Sequence, residues 1–550
     1  MYRASEKTKQ ADIWKDPRLE MGKRSREIFE DDKGWHHQFR REVTNRVDED
    51  IFKPLFSDGK GAPNAPIRIL VAMMALKEAQ GISDEYLYEQ ARFNALVRSA
   101  LGLFDRDEEA PTESTYYLFR QRIVEYEEKN GKNLLEEVFE QITKGQCTEY
   151  QVSGKRVRMD SKLLGSNIAW YGRYGVVHET IRTYCAANGI TGEEGSELAV
   201  ILKEKAETVV YRNTKEEVEH RLKELGTVLY RLLGDNGAEG NKEYHLLKRV
   251  FEEQYEIVSG PGGGNEKQVK ARENKEIRSK SVQNPHDEDS EYRKKGEQKV
   301  QGYSINVTET CDEGEVDERP LNLIVGIQTA GCAQADLDFL QEGLEGAQAV
   351  VVDKIEEVYT DGAFHSPDNQ EYCKKEGIDL VLGGISGPEP KYDVSFDDEG
   401  NMIVINTESG ERIEAKKAKS RDPQGPERWG IKDGDKALRY FTEKDVETSE
   451  LRKRLAGIPK ERRNIRNNVE ATIFQVGYHY RGDKSRYRGQ PEHKMWAVGR
   501  CLWVNFRRIQ LWIQRKAGNG ETGGAGITKA YSFFKFFRKI FWLPEFAGSC

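Results

Sequence analysis

The chain has 550 residues, 37% hydrophobic and 33% charged, with a formal net charge of −8, so it has room for two to four domains that each bury a core. The charge is uneven: from residue 451 onward 21 Lys and Arg stand against 6 Asp and Glu, a local +15, and the preceding residues carry 65 against 88, so the acidic total does not exclude a polyanionic partner. No run of about 18 apolar residues exists and the start, Met1-Tyr-Arg-Ala-Ser5, is polar, while seven scattered cysteines form no CxxC; together these exclude a membrane span, a signal peptide, a disulfide framework and a zinc site, and place the chain in the cytoplasm.

Residues 1–149 read as helical. Pro66 sits at a first helical position and Ile67 to Gln80 follows with an almost wholly apolar centre, a buried helix that Gly81 breaks. Ser83 caps a second helix to Arg92, and Ser114 to Glu127 forms a third that exposes Arg120 and Arg122. The character changes at Tyr150: Val152, Val157 and Met159 alternate with polar residues in a strand that ends at Asp160. A helical region follows, in which Thr214-Lys-Glu-Glu217 is a capping box and Val218, Leu222, Leu225, Leu229 and Leu232 form a local core stripe. Residues 259 to about 298 read as a flexible linker, because Ser259-Gly-Pro-Gly-Gly-Gly264 lacks the Gly-Lys-Ser/Thr ending of a phosphate-binding loop.

From Gly302 the pattern is α/β, with strands at Tyr303–Thr310 and Leu321–Gln328, a helix at Ala335–Leu344, a strand at Ile355–Thr360 running into Asp361, a helix at Pro367–Lys375 and a strand at Ile378–Leu382. With the Asp160 strand the order is β-β-β-α-β-α-β, with carboxylates at the ends of the first and fourth strands, where open α/β sheets bind ligands. Residues 386 to about 450 interrupt with a β meander, Tyr392–Phe396, Met402–Asn406 and Arg412–Ala415, whose Asp397-Asp398 serves a turn. Arg421, Arg428 and Trp429 follow it. Ile465, Val469, Ile473 and Val476 then mark one amphipathic helix carrying Arg463, Arg466 and Glu470, followed by the basic turn Arg481-Gly-Asp-Lys484-Ser-Arg486-Tyr487-Arg488-Gly489. The chain ends in a basic aromatic tail, Tyr531 to Trp542, too short to span a bilayer.

Asp160, Asp361 and Glu470 converging on one sheet edge would repel one another unless divalent cations neutralise them. Two Mg2+ held by such acids activate a water or sugar hydroxyl for in-line phosphoryl displacement. Pro54 to Arg122, Arg158-Met-Asp160-Ser-Lys-Leu-Leu-Gly-Ser-Asn167, Pro285 to Tyr303, and Tyr359-Thr-Asp361-Gly-Ala-Phe-His-Ser366 resemble segments of the bacterial insertion-sequence transposases of the DDE type. Their third motif is Tyr, two residues, Arg, three residues, Glu, six residues, Lys; Arg466 and Glu470 match it, with Arg463 at the Tyr and Gly477 at the Lys.

The resemblance implies an α/β RNase H-like catalytic core, a mixed five-stranded sheet with helices, over residues 150–505. A helical insertion and linker would fill about 165–300 and a β-rich insertion about 386–450. An all-α domain for DNA-end binding would precede the core at 1–149, and the tail would occupy 506–550. Asp160, Asp361 and Glu470 would be catalytic and hold two Mg2+, which Mn2+ replaces. Arg463, Arg466, Lys484, Arg486, Arg488 and Trp429 would bind DNA, with Lys484 or Arg488 clamping the terminal phosphate and Trp429 stacking on an unpaired base; a core position for Trp429 and a satisfied loop position for His365 are the competing readings. The expected partners are double-stranded DNA, as element ends and target, and a second copy in a DNA-bound homodimer, with no membrane and a location at the bacterial nucleoid. A non-catalytic DNA-binding protein that kept the fold and a nuclease that cuts without joining are the alternatives.

Overall fold

The computed structural model describes residues 1–5, 13–57, 59, 61–234, 240–259, 267–313, 320–384, 390–418, 426–433, 437–477 and 483–518; Arg421, Tyr478, Tyr480, Arg481 and the 531–542 tail lie outside them. The first part is helical, with α1 (Lys23–Phe29), α2 (Trp35–Glu42), α3 (Ile67–Gln80), α4 (Asp84–Phe93), α5 (Ala95–Leu101), α6 (Glu113–Asn130) and α7 (Leu134–Tyr150). In α3 every residue except Gln80 is buried, and Gly81 ends it in the left-handed region at φ 63°. Pro66 is the N-cap of α3, one residue earlier than the sequence suggested. Ser83 Oγ accepts from the Tyr86 amide (3.2 Å) and Thr112 Oγ1 from the Thr115 amide (3.3 Å), which fixes the starts of α4 and α6.

Next comes β1 (Arg156–Gly165), which does not end at Asp160. It runs five residues further because Ser161 to Gly165 stay paired with a neighbouring strand as far as Gly302 and because the polar side chains there find partners: Ser161 Oγ donates to Asp336 Oδ1 (2.9 Å). The insertion holds α8 (Arg173–Ala187), α9 (Glu197–Lys203), α10 (Ala206–Arg212), α11 (Lys215–Gly234) and α12 (Lys242–Gln254), followed by the hairpin β2 (Tyr255–Ser259) and β3 (Lys267–Ala271). The Thr214–Glu217 capping box forms, and Leu222, Leu225, Leu229 and Leu232 enter a core local to this insertion. The flexible-linker expectation is corrected past residue 266. That stretch contains β3, buried Asn284 and Asp287, and β4 (Glu291–Lys295); Asn284 Nδ2 donates to the Ala169 carbonyl (2.9 Å).

The α/β part continues with β5 (Gln298–Thr310), β6 (Ile324–Gly331), α13 (Leu340–Val350), β7 (Glu357–Thr360), α14 (Pro367–Glu376) and β8 (Asp379–Leu382). The sheet is mixed, as expected, but six-stranded. Along the path β4-β5-β1-β7-β8, β6 also pairs with β5, because the 13-residue β5 is long enough for β4 to take its first half and β6 its second on the same edge. Strands β6, β5 and β1 are antiparallel, and β1, β7 and β8 parallel.

The β insertion has the expected meander, β9 (Tyr392–Phe396), β10 (Met402–Asn406) and β11 (Arg412–Glu414), and a second three-stranded sheet that the sequence did not reveal, β12 (Lys416–Ala418), β13 (Arg428–Asp433) and β14 (Ala437–Phe441). Then follow α15 (Glu443–Gly457), α16 (Lys460–Asn464), a 3-10 turn (Ile465–Asn467), α17 (Asn468–Val476) and α18 (Gln490–Gly518). The single helix expected over 462–476 is therefore broken at 465–467, where Arg158 Nη1 takes the Ile465 carbonyl (3.1 Å). The 505/506 boundary also falls inside a helix, since α18 continues through it.

One core joins α3 to Leu164 of β1, Ile305 and Val307 of β5, and Trp496, Leu502 and Phe506 of α18. The helical first part thus shares its core with one face of the sheet. The other face buries Val157 and Met159 of β1 against Leu340, Leu344 and Ala347 of α13. Among the described residues no helix is long and apolar enough to cross a membrane.

Candidate functional site

Strands β1 and β7 run parallel with Arg158 opposite Tyr359; two residues further this register brings Asp160 beside Asp361. Since side chains alternate, Arg158, Asp160 and Lys162 share one face of β1, opposite the buried Val157 and Met159. Asp160 Oδ1 accepts from the Ser161 amide (2.9 Å), and Asp361 Oδ1 caps a one-turn 3-10 helix through the Ala363 amide (2.9 Å). The guanidinium of Arg466 reaches between the two acids, its Nη2 3.4 Å from Asp160 Oδ2 and 3.8 Å from Asp361 Oδ2. Gly383 makes room for its stem, for a Cβ there would stand 3.2 Å from Arg466 Cδ. Burial pushes the Asp160 carboxyl up to about 6, with Arg466 opposing and Asp361 adding to the rise.

The turn that carries Arg466 is held on three sides. At its start Arg158 grips the Ile465 carbonyl and also donates through Nε to Glu309 Oε1 (2.5 Å). Glu309, on β5 and fully buried, accepts at Oε2 from Thr472 of α17 (2.7 Å) and from Arg508 of α18 (2.6 Å). Burial alone would raise the Glu309 carboxyl; Arg508, Arg158 and the Thr472 hydroxyl outweigh it and hold it below its ordinary value. At the far end of α17, the buried Arg500 of α18 donates to the carbonyls of Val476 (2.9 Å) and Gln475, and to those of Glu78 (2.9 Å) and Ala79 (3.1 Å) of α3. One guanidinium thus donates to carbonyls at the ends of two helices.

The structure brings Asp160, Asp361 and Arg466 together. Glu470 lies one turn on, exposed on α17, with no hydrogen bond or ion pair to a described residue. Among the described residues no group of three or more His, Cys, Asp or Glu is placed to hold a metal ion. The Asp160–Asp361 pair supplies hard oxygen donors that already bracket one cationic group, which is the donor chemistry Mg2+ or Mn2+ requires. Arg463, on α16, is half-buried, and its Nε has no hydrogen-bond partner among the described residues. The basic turn is stitched to the end of β1: Gly165 donates to the Asp483 carbonyl (2.7 Å), Ser485 to the Gly165 carbonyl (2.7 Å) and Asn167 to the Tyr487 carbonyl (2.8 Å). On that turn Lys484 Nζ donates to the Ile168 carbonyl (3.3 Å), Arg488 Nε to the Asn167 carbonyl (2.7 Å), and Arg486 is exposed.

Trp429 packs, half-buried, against the core of the β insertion, edge-on to Phe396 at 5.5 Å with Lys417 Nζ 5.8 Å above its ring. His365 Nε2 pairs with Gln370 (2.9 Å), and Asp397 Oδ1 accepts from the Glu399 and Asn401 amides of its own turn (3.0 and 2.8 Å). Six of the cysteines are buried free thiols, and Cys550 lies outside the described residues.

Sequence reasoning missed Glu309, Thr472, Arg500 and Arg508, which position the site, and Lys162, which stands beside Asp160. The charged residues at 158, 160 and 162, alternating with others, were a signal of a charged strand face. Trp170 was missed too. It is 53% exposed on the segment after β1 that the basic turn grips, two residues beyond the carbonyl that Lys484 holds.

Residues 27–122, the stretch from α1 through most of α6, match the transposase domain family (DUF772). That match supports a transposase-related function. No curated protein matches the chain. No solved structure matches it either.

Proposed function

We propose that the chain is a DDE-type DNA transposase that hydrolyses a phosphodiester at each inverted-repeat end of an insertion sequence and joins the freed 3′-hydroxyl to target DNA. The observation that carries this reading is the pairing of Asp160 with Asp361 around the Arg466 guanidinium (3.4 and 3.8 Å), on adjacent parallel strands of the mixed sheet. Asp160 and Asp361, with Glu470 from α17, would hold Mg2+, or Mn2+ in its place. The bound ions supply Lewis-acid stabilisation of the oxygens that change bonding at phosphorus.

The chain's own groups bind and orient the DNA. Arg466 lies within reach of the Asp160–Asp361 edge and contacts the phosphate, Arg463 lies one turn before it, and Lys484, Arg486 and Arg488 follow the backbone along the end of β1. In cleavage a water oxygen bonds to phosphorus as the 3′-oxygen leaves as a hydroxyl; in joining, that hydroxyl attacks a target phosphate and displaces another 3′-oxygen. The partners are double-stranded DNA and, in the complex, a second copy of the chain, in the cytoplasm at the nucleoid.

The test is nicking of end-labelled inverted-repeat DNA by purified protein with Mg2+ or Mn2+. Asp160→Ala, Asp361→Ala and Glu470→Ala each abolish nicking and leave DNA binding in place; wild-type activity in any one removes that residue from the trio. Strand-transfer products separate a transposase from a nuclease.

A further inference from the structure

Lys162 occupies the place that a longer side chain at position 477 would claim. It lies two residues from Asp160 on the same face of β1, about 7 Å along the strand. Its stem crosses Gly477 so closely that a Cβ there would stand 3.1 Å from Lys162 Cε and 3.6 Å from its Cδ. Its Nζ donates to Asp483 Oδ1 (2.6 Å), an acid also steadied by Gln298 Nε2 at Oδ2 (3.2 Å). Among the described residues Asp483 alone takes an ammonium proton, leaving two donors there, and its carboxylate is 42% exposed, so the ion pair is cheap to open. Lys484 and Arg488, the two clamp candidates from the sequence, instead direct a donor to the carbonyls of Ile168 and Asn167.

We propose that Lys162 is the side chain that binds a DNA phosphate beside Asp160, supplying from the sheet the cation that Gly477 does not supply from α17. This rests on the DNA-processing reading above. Asp483 is its positioning partner: it holds the ammonium extended over Gly477 until a phosphate competes for it.

The experiment uses the full chain, end-labelled inverted-repeat DNA and Mn2+, with Asp160→Asn as a control for the reading itself. Lys162→Met is expected to lower cleavage about 10- to 100-fold, the worth of one hydrogen bond to a charged group, and to make the salt dependence of DNA binding shallower by about one unit. Lys162→Arg is expected to restore most of both. Lys162→Met combined with Gly477→Lys is expected to recover cleavage, because the first change vacates the volume that the second needs and Gly477 has φ −88°, open to any residue. A lysine with only a structural role would not be rescued from the neighbouring helix. If Asp160→Asn is inactive while Lys162→Met cleaves like wild type, the Lys162 assignment is overturned and the DNA-processing reading stands; if Asp160→Asn cleaves normally, the reading itself falls. If Lys162→Met melts below the assay temperature, the Lys162→Arg protein decides: loss of cleavage in a folded Lys162→Arg protein with an unchanged salt slope refutes the proposal.

Discussion

Glu309 is the buried charge on which the geometry of α17 depends, and Glu309→Leu isolates its contribution. The carboxylate is fully buried and accepts three hydrogen bonds, from Arg158 (2.5 Å), Arg508 (2.6 Å) and Thr472 (2.7 Å). Removing one partner of a buried ionic group costs about 3–5 kcal/mol because the remaining charges are left uncompensated. Here the two guanidinium groups keep other acceptors, Ile465 for Arg158 and Asn322 for Arg508 (3.1 and 3.3 Å), so the lower end, about 3 kcal/mol, is expected. Thr472→Val, which removes one neutral donor to the same carboxylate, should cost about 1–2 kcal/mol. Urea unfolding followed by tryptophan fluorescence reads both as shifts in midpoint at constant slope. The variant Glu309→Leu with Arg158→Met and Arg508→Met replaces the whole ionic group by apolar side chains and should recover most of the loss. A Glu309→Leu protein that unfolds at the wild-type midpoint, or a triple variant no better than the single one, would refute the reasoning.

Two further expectations concern the basic turn. His493, fully buried beside the Tyr303 ring (4.3 Å), faces the Gly489 carbonyl through Nδ1 (2.7 Å) and Ser485 Oγ through Nε2 (2.7 Å); the carbonyl can only accept, so Nδ1 carries the proton. Burial lowers His493 to about 4, against the opposing Gly489 bond and Asp287. The unfolded chain therefore binds the extra proton between about pH 6.5 and 4, and the stability present above 6.5 is lost on acidification at up to about 1.4 kcal/mol per pH unit. His493→Phe should flatten that part of the pH profile of chemical unfolding, and a retained slope would assign it to other groups. Trp170→Ala should weaken binding to DNA ends with unpaired bases by about 5- to 150-fold, the worth of one stacked base, and barely affect fully paired DNA; fluorescence anisotropy compares the two, and equal losses on both would exclude stacking.

The sequence made legible what periodicity and caps determine. The α3 helix, the Ser83 and Thr214 caps, the strands β7 and β8 and the end of β5 lie within two residues of expectation, because each depends on neighbours along the chain, while β5 starts five residues before the expected Tyr303. The extension of β1 past Asp160 was hidden, since its polar Ser161 and Lys162 are satisfied by Asp336 and Asp483, some 175 and 321 residues away. The break at Ile465–Asn467 was hidden for a similar reason: the apolar stripe through Ile465 and Val469 is continuous in sequence, and only Arg158, from the sheet, takes the carbonyl at the break. The sequence grouped Asp160, Asp361 and Glu470; strand order made the first two legible as neighbours, whereas Arg466 is the side chain that stands between them and Glu470 is exposed one turn on. The buried Glu309 network was not, as a lone Glu in a strand gives no sign of which arginines will find it.

Arg500 ties α3 to a segment made more than 400 residues later, since its bond to the Glu78 carbonyl spans 422 positions. A growing polypeptide therefore emerges from the ribosome with an oily helix that its neighbours in the first part cover on some sides only, and the side that faces α18 stays bare until α18 is made. Contacts that distant slow folding and leave unfinished chains prone to stick together. Products truncated before α18 are thus expected to be insoluble or degraded, so that only chains translated to α18 accumulate as folded protein.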